Sequence, residues 1–255
     1  MTNIIPVINN KGGVAKTITA VTTASILAER GYKTLLLDLD QQANATAAVG
    51  VRPEKETLTI FDIFFNGKNI DDVAMKTKFD NLYLIPSSGA FVSALSKLTV
   101  EMIPDKDNIL TRAISSSKAE YDFIIIDCPP ALDQIITNAI MPATNIVIAT
   151  SPRKFSTDGI KRILMFIKNY EPYMQNYNGF GTLITLHEKR RNVINGVVKS
   201  IKQNHFLNAY DSLIAKSTLV EQSTFAGVPI NHFSPDCQAA ITYKNFVDEL
   251  IENCG

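Results

Sequence analysis

Short runs of consecutive hydrophobic residues recur along the chain and are separated by longer, partly polar stretches. The runs are "IIPVI" (4–8), "TLLLDLD" (34–40), "LYLIP" (82–86), "DFIIID" (122–127), "NIVIAT" (145–150) and "TLITL" (182–186). Within most of these runs hydrophobic residues follow one another instead of alternating with polar ones. This pattern predicts strands that are covered on both faces, as in a parallel sheet.

The stretches between the runs show the periodicity of amphipathic helices, with apolar residues at i, i+3, i+4 and i+7. These positions are Ile160, Ile163, Leu164 and Ile167; Ile194, Val197, Val198 and Ile201; and Tyr243, Phe246, Val247 and Leu250. An earlier helix is expected from about Thr17 to Arg30, burying Ala20, Ala24, Leu27 and Ala28 and stopping at Gly31. Strands that alternate with helices predict an α/β fold with a doubly wound, mostly parallel sheet flanked by helices.

Composition narrows the class of protein only slightly. Hydrophobic residues make up 45% and charged residues 20%, as in ordinary soluble proteins. Lys plus Arg equals Asp plus Glu at 25 each, so contact with nucleic acid would need a local basic patch. The three scattered cysteines favour a reducing cytoplasm, and no hydrophobic run approaches the roughly 20 residues of a membrane helix. We expect residues 1–255 to form a single domain, with segment 51–80 capping one edge of the sheet.

The stretch "NNKGGVAKT" (9–17) follows the first predicted strand and has the character of a phosphate-binding loop. The general template G-x-x-x-x-G-K-[ST] requires glycine where this chain has Asn10 and Ala15. Gly12 and Gly13 still allow the backbone N–H groups to curl around an anion at the positive end of the following helix. Ala15 either keeps the loop shape at a cost of about 1–2 kcal/mol or adopts a right-handed conformation.

Side chains of this loop and of two strand ends suggest the chemistry of the site. Lys16 would reach the β and γ phosphates of a nucleotide, and Thr17 would supply a hydroxyl to Mg²⁺. Asp38, Asp40 and Asp127 lie at strand ends that meet the loop at one edge of a parallel sheet. Because burying three carboxylates is costly without a cation, they predict a magnesium site. Asp127 would orient Mg²⁺ through a water, and either Asp38 or Asp40 would position the attacking water.

A simpler interpretation exists for each of these features taken alone. The loop can be a glycine turn between a strand and a helix, and an aspartate at a strand end can be a helix N-cap. The combination of three carboxylates with a loop that carries a lysine favours a functional site.

These residues resemble the ParA/MinD family of P-loop ATPases with a deviant Walker A motif, and within it the chromosome and plasmid partition proteins. The resemblance rests on "KGGVAKT" against K-G-G-V-G-K-T, "LLLDLDQQANAT" against D-x-D-P-Q-G-N-A-T, and "YDFIIIDCPPAL" against the Walker B region. Weaker similarity continues in "GVPI" and "SPDCQAAITY", so it spans nearly the whole chain. It implies a P-loop NTPase fold, ATP and Mg²⁺ as cofactors, ATP hydrolysis and a role in DNA partition.

The resemblance also implies roles for individual residues. Lys11 corresponds to the signature lysine that reaches the phosphates bound by the other subunit of an ATP-sandwich homodimer. The implied catalytic residues are Lys11, Lys16 and Asp40, and the implied Mg²⁺ residues are Thr17, Asp40 and Asp127. The implied nucleotide contacts are Lys11, Gly12, Gly13, Val14, Ala15, Lys16, Thr17 and Ile18.

In partition proteins the ATP dimer binds DNA without sequence preference, and a ParB-like centromere-binding protein stimulates hydrolysis. By resemblance, the protein is expected to be cytoplasmic and nucleoid-associated. Basic side chains would contact DNA phosphates, although a solvated helix face is the alternative for each one singly. The candidates are Lys189, Arg190, Arg191, Lys199, Lys202 and Lys216.

The chain departs from the family pattern at several positions, including Ala15 and Gln41, and Ala215 and Lys216 stand where a Pro-Arg pair is usual. Ala15 and Gln41 leave open a nucleotide-switched binding module with little hydrolysis. A small-molecule ATP-dependent ligase of the same P-loop group is the other alternative. A membrane-cycling role is disfavoured because the C-terminal helical pattern carries Asp248, Glu249 and Glu252 on its polar side.

Overall fold

The computed structural model describes residues 1–89, 91, 105–188 and 192–254. The strands are β1 Asn3–Ile8, β2 Thr34–Asp38, β3 Met75–Lys76, β4 Leu82–Ile85, β5 Phe123–Asp127, β6 Asn145–Thr150, β7 Gly179–His187 and β8 Ala209–Ala215. The longer helices are α1 Lys16–Glu29, α5 Ile109–Ser115, α6 Gln134–Ile140, α7 Thr157–Tyr170, α8 Asn192–Gln203, α9 Thr218–Ala226 and α11 Gln238–Cys254. The shorter ones are α2 Asn44–Ala48, α3 Ile60–Phe65, α4 Ile70–Val73 and α10 Ile230–Phe233, with 3₁₀ turns at Glu171–Tyr173 and His205–Leu207.

The eight described strands form one sheet in the order β3-β4-β2-β5-β1-β6-β7-β8. Neighbouring strands are parallel except at the edge, where β3 runs antiparallel to β4. The chain reverses its direction of winding at β1, which lies between β5 and β6. Helices cover both faces, so the prediction of a doubly wound, mostly parallel sheet is confirmed.

Burial on both faces explains why the central strands are continuously hydrophobic. Leu35 and Leu37 of β2 belong to a core beneath α3, α5, α6 and α7, whereas Leu36 belongs to a second core beneath α1, α2 and α11. The same alternation between the two cores holds in β5, where Ile124 and Ile125 lie on opposite faces. Because neither face of these strands meets water, no polar residue is needed at alternate positions.

The six predicted strands are all present, and two strands were missed. β3 is only two residues long and pairs with β4 at the sheet edge, within the segment expected to cap that edge. β8 is the other edge strand; it buries Tyr210, Ser212 and Ile214 but exposes residues between them. Its sequence therefore lacks the continuous hydrophobic run that marks the inner strands.

The predicted helices are also present. In α1, Ala20, Ala24, Leu27 and Ala28 are all buried, and the helix is followed by Gly31 at φ 91°. The four predicted apolar positions of α11 are buried as well. Of the four predicted in α7, three are buried and Leu164 is partly exposed. None of the helices in the described ranges has the length and hydrophobicity to cross a membrane.

Candidate nucleotide-binding site

The turn between β1 and α1 lies at the carboxyl ends of the central strands. Val7 of β1 is paired with Asp127 of β5, and Asp127 is paired with Asp38 of β2. Gly13 and Ala15 both have left-handed backbones, with φ of 65° and 60°. Such residues turn successive N–H groups toward a common point, which favours an anion there. Ala15 thus keeps the loop shape with its Cβ in a strained region, the first of the two alternatives.

A buried threonine fixes this loop to the neighbouring part of the sheet. Thr185 of β7 donates its Oγ1–H to the carbonyl oxygens of Val14 (2.9 Å) and Thr150 (3.1 Å). Thr185 was missed from sequence, because a single threonine inside "TLITL" does not reveal a partner 171 residues away. The conformation of the phosphate-binding loop therefore depends on the positions of β6 and β7.

Lys16 is the first residue of α1 and is only 7% exposed. Its Nζ donates to the carbonyl oxygen of Lys11 at 3.1 Å, which closes the loop on itself. Burial lowers the pKa of Lys16, and the negative charges of Asp127 and Asp40 oppose that effect in part. A buried ammonium held by a carbonyl oxygen is well placed to exchange that partner for a phosphate oxygen.

The ammonium of Lys11 is bound outside the phosphate-binding loop. Its Nζ donates to the carbonyl oxygen of Lys154 (2.7 Å) and to Ser156 Oγ (2.8 Å), both in the loop between β6 and α7. Its backbone N–H donates to Asn9 Oδ1 at 2.9 Å. In the single chain, therefore, the lysine assigned by resemblance to the other subunit's phosphates is bound to a loop of its own subunit.

Asp38 is fully buried, and both of its carboxylate oxygens accept hydrogen bonds. Oδ2 accepts from the N–H and the Oγ1–H of Thr46 at 2.8 and 2.7 Å, and Oδ1 accepts from the N–H of Asp40 at 3.1 Å. Burial raises the pKa of Asp38 to about 6 despite these bonds. Asp38 therefore anchors α2 and the turn before it, a role that sequence reasoning missed.

Asp40 is the more accessible of the two candidates for positioning water. Asp40 is 9% exposed, and its Oδ1 accepts a hydrogen bond from the N–H of Gln42 at 3.0 Å. Since Asp38 is occupied by Thr46, the choice left open by the sequence between Asp38 and Asp40 favours Asp40.

Asp127 is fully buried, and neither carboxylate oxygen has a hydrogen-bond partner among the described residues. The Thr17 side chain faces it and favours its charged form, but the pair lies outside hydrogen-bonding geometry. Burial, reinforced by the charge of Asp38, raises the pKa of Asp127 well above its ordinary value. A buried carboxylate without a partner is costly and calls for a cation.

The residues around Asp127 fit Mg²⁺. A hydroxyl and one or two carboxylates, completed by phosphate and water oxygens, are the ligands this ion commonly takes in nucleotide sites. No cluster of three or more His, Cys, Asp or Glu side chains that could hold a metal ion is found in the described ranges.

Only three of the six candidate DNA-binding residues lie in the part of the chain that the structure describes. Lys189, Arg190 and Arg191 lie outside the described residues. Lys199 is exposed on α8. Lys202 donates to the carbonyl oxygen of Asp211 at 2.9 Å and lies 3.5 Å from its carboxylate, and Lys216 lies 3.7 Å from Glu188 Oε1. Two of these three described lysines are therefore partly neutralised by carboxylates.

The sheet order, the loop at its switch point and the acidic strand ends define a P-loop nucleotide-binding protein. Residues 2–178 match the family model described as the AAA domain. The chain belongs to this family, in the ParA/MinD group of P-loop ATPases.

Curated relatives match along nearly the full length. Sporulation initiation inhibitor protein Soj of Bacillus subtilis is 28% identical over 256 residues, covering 99% of this chain and 100% of the relative. Chromosome-partitioning ATPase Soj of Treponema pallidum is 28% identical over 251 residues, covering 97% of this chain and 96% of the relative.

Solved structures share the fold. Cobyrinic acid a,c-diamide synthase of Mycobacterium smegmatis, with a bound ATP analog and magnesium, superposes with a TM-score of 0.86 at 24% identity, covering 99% of this chain and 95% of that one. A plasmid partition protein of Borrelia burgdorferi gives a TM-score of 0.78 at 21% identity and covers 98% of both chains. The P-loop NTPase fold expected from the resemblance is thereby confirmed.

Proposed function

We propose that this protein is a DNA partition ATPase. It binds ATP with Mg²⁺, forms a nucleotide-sandwich homodimer, binds DNA without sequence preference and hydrolyses ATP when a ParB-like centromere-binding protein stimulates it. The relatives named as partition proteins support the biological role. The observation that carries the chemistry is Asp127, a buried carboxylate without a hydrogen-bond partner, beside Thr17 at the start of a helix that carries Lys16.

Each residue of the site would have a separate role in phosphoryl transfer to water. The loop from Lys11 to Ile18 would surround the triphosphate with backbone N–H groups, and Lys16 would exchange the Lys11 carbonyl for β and γ phosphate oxygens. Thr17 and Asp127 would hold Mg²⁺, which offsets phosphate charge. Asp40, fixed through Oδ1 by the N–H of Gln42, would position the attacking water.

Dimerisation would follow from the position of Lys11. ATP places several negative charges in one pocket, and an ammonium supplied by a second copy makes association depend on the nucleotide. To do so, Lys11 would have to leave Lys154 and Ser156 of its own subunit. Lys189, Arg190, Arg191, Lys199, Lys202 and Lys216 would then contact DNA, which would keep the cytoplasmic protein on the nucleoid.

Three variants test this function in one set of assays. Lys16→Ala should abolish MgATP binding measured by calorimetry, because the buried phosphate ligand is lost. Asp40→Ala should bind MgATP but remain a dimer in light scattering, since hydrolysis no longer separates the subunits. Asp158→Ala, an exposed change on α7, serves as the control. A Lys16→Ala protein that binds MgATP like wild type would refute the site.

Phosphate release separates the proposed function from the two alternatives. A partition ATPase should release phosphate faster with DNA and the partner protein together than with either alone. Release that responds to a small carboxylate substrate and ignores DNA would establish a ligase. Absence of release under every condition, with MgATP binding intact, would establish a non-hydrolysing switch.

A further inference from the structure

The loop between β6 and α7 lies directly against the phosphate-binding loop. Lys154 donates its Nζ–H to the carbonyl oxygen of Gly12 at 2.7 Å, and its own carbonyl oxygen accepts from Lys11 Nζ at 2.7 Å. A Cβ placed on Gly13 would lie 2.7 Å from Lys154 Nζ. The Lys154 ammonium therefore covers the left-handed turn whose N–H groups would face a phosphate.

Lys154 is exposed, yet its ammonium is hydrogen-bonded within the protein. Its neighbour Arg153 forms an ion pair with Glu188 at 2.7 Å, but Lys154 forms none with any described residue. Its hydrogen-bond partner is a backbone carbonyl of the loop, just as the partner of Lys16 is the carbonyl of Lys11. Both cations thus occupy weak acceptors that a phosphate oxygen would replace with a stronger, charged one.

The positive charges around the loop also favour a bound phosphate. Three ammonium groups, those of Lys11, Lys16 and Lys154, contact this loop or the loop beside it, and each uses a backbone carbonyl as an acceptor. Lys154 is close enough to Lys16 for the two charges to repel. Like charges gathered in this way repel one another, and an anion bound between them would offset that repulsion.

We propose that Lys154 is a further phosphate-binding residue, supplied by the β6–α7 loop of the same subunit, which contacts the outermost phosphate of a bound nucleoside triphosphate and favours it over the diphosphate. This inference rests on the proposed ATP binding. It differs from the role of Lys11, which acts across the dimer, because Lys154 serves the loop of its own chain. It also gives the β6–α7 loop a direct part in sensing the nucleotide.

The test compares MgATP and MgADP affinities by calorimetry for wild type, Lys154→Ala and Lys154→Arg. Lys154→Ala should weaken MgATP binding by about three- to tenfold, in the range of one solvent-exposed charge-assisted hydrogen bond, and MgADP binding by less than about twofold. Lys154→Arg should restore most of the affinity, because a guanidinium also binds phosphate. Arg153→Ala, which removes the adjacent positive charge directed at Glu188, should behave like wild type.

Each other outcome counts against the inference in a different way. If Lys154→Ala binds MgATP as tightly as wild type, or more tightly, Lys154 only covers the empty loop. If it weakens MgATP and MgADP equally and lowers the melting temperature, Lys154 is structural. If wild type and Lys16→Ala both fail to bind MgATP, the proposed function fails and the inference fails with it.

Discussion

Asp38 and Asp127 face each other in register on adjacent strands and share surroundings that favour the protonated carboxyl. Their hydrogen bonding differs completely. Asp38 accepts three hydrogen bonds, whereas Asp127 accepts none from the described residues. The hydrogen bonds of Asp38 stabilise the fold, whereas the carboxylate of Asp127 is buried without any, so the same substitution should act oppositely at the two positions.

At pH 8 without divalent cations, Asp127→Asn should stabilise the protein by roughly 1–2 kcal/mol, because it removes a buried charge that has no hydrogen-bond partner. Asp38→Asn should destabilise it, since an amide group would then face the donors of Thr46 or Asp40. Urea unfolding of the two variants beside wild type measures both effects. An Asp127→Asn protein less stable than wild type at pH 8 would show that Asp127 has a partner in solution.

The pH dependence of these effects follows from the direction of the pKa shifts. The pKa of Asp38 is raised from 3.8 to about 6, and burial also raises the pKa of Asp127 well above its ordinary value. The folded state therefore binds more protons than the unfolded state, and stability falls as pH rises from about 4 through 6 and beyond. The advantage of Asp127→Asn over wild type should accordingly shrink as the pH is lowered from 8 to 5.

Ala15→Gly should raise the free energy of unfolding by roughly 0.5–1 kcal/mol. Removing the Cβ relieves left-handed strain of about 1–2 kcal/mol, and the greater freedom of glycine in the unfolded chain offsets part of the gain. Ala47→Gly, an exposed change within α2, should instead destabilise by about 0.5–1 kcal/mol. MgATP affinity should change little, because the loop already has its shape. Tight binding by Ala15→Gly alone would show that the wild-type loop is degenerate.

Among the elements, α11 protects the free edge of the sheet. Glu249 accepts hydrogen bonds from the N–H groups of Asp211 and Ser212 at 2.6 and 2.8 Å, and Thr242 Oγ1 accepts from the N–H of Ala215 at 3.4 Å. Unpaired N–H groups on an edge strand invite association with other chains. An acidic position that the sequence assigns only to a polar helix face thus has a structural partner in β8.

Glu249→Ala should lower the free energy of unfolding by about 1–3 kcal/mol, since two backbone donors lose their acceptor. It should also increase self-association in light scattering as the β8 edge becomes available. Glu249→Gln keeps an acceptor and should lose less. Glu252→Ala, exposed on the same helix, is the matched control. Equal stability of Glu249→Ala and Glu252→Ala would rule out the protective role.

At the scale of the whole molecule, a chain with no net charge could bind DNA only through a local cluster of basic side chains. Lys199 is exposed, whereas Lys202 and Lys216 lie beside the carboxylates of Asp211 and Glu188. A lysine already close to a carboxylate contributes less to a phosphate contact. The three described lysines should therefore contribute unequally to the affinity for DNA.

Lys199→Ala should weaken ATP-dependent DNA binding more than Lys202→Ala or Lys216→Ala, and should reduce the slope of log affinity against log salt by about one. Fluorescence anisotropy at several salt concentrations measures this. Lys55→Ala, exposed in the segment before α3, is the control. DNA binding that ignores both nucleotide and salt would contradict the partition function.

Local pattern was sufficient to predict most of the fold. The six inner strands and the four helices α1, α7, α8 and α11 follow from runs and periodicities within ten to fifteen residues. The inner strands are largely buried on both faces, which keeps their pattern unambiguous. β8 was missed because an edge strand buries only alternate residues. The expectation that residues 1–255 form a single domain stays a prediction, as do the roles assigned to the individual site residues.

The class of site can be predicted from local sequence, because Lys16 and Thr17 are neighbours in one motif and the carboxyl ends of parallel strands meet at one edge of the sheet. The three-dimensional contacts were needed to show that Asp38 is hydrogen-bonded to Thr46, that Ala15 is left-handed and that Lys154 covers the loop. Those facts depend on backbone geometry and on contacts such as Lys154 with Gly12, 142 residues apart in the chain. A hydrogen bond over that separation exists only when the fold brings its two atoms together, so a local sequence pattern cannot predict it.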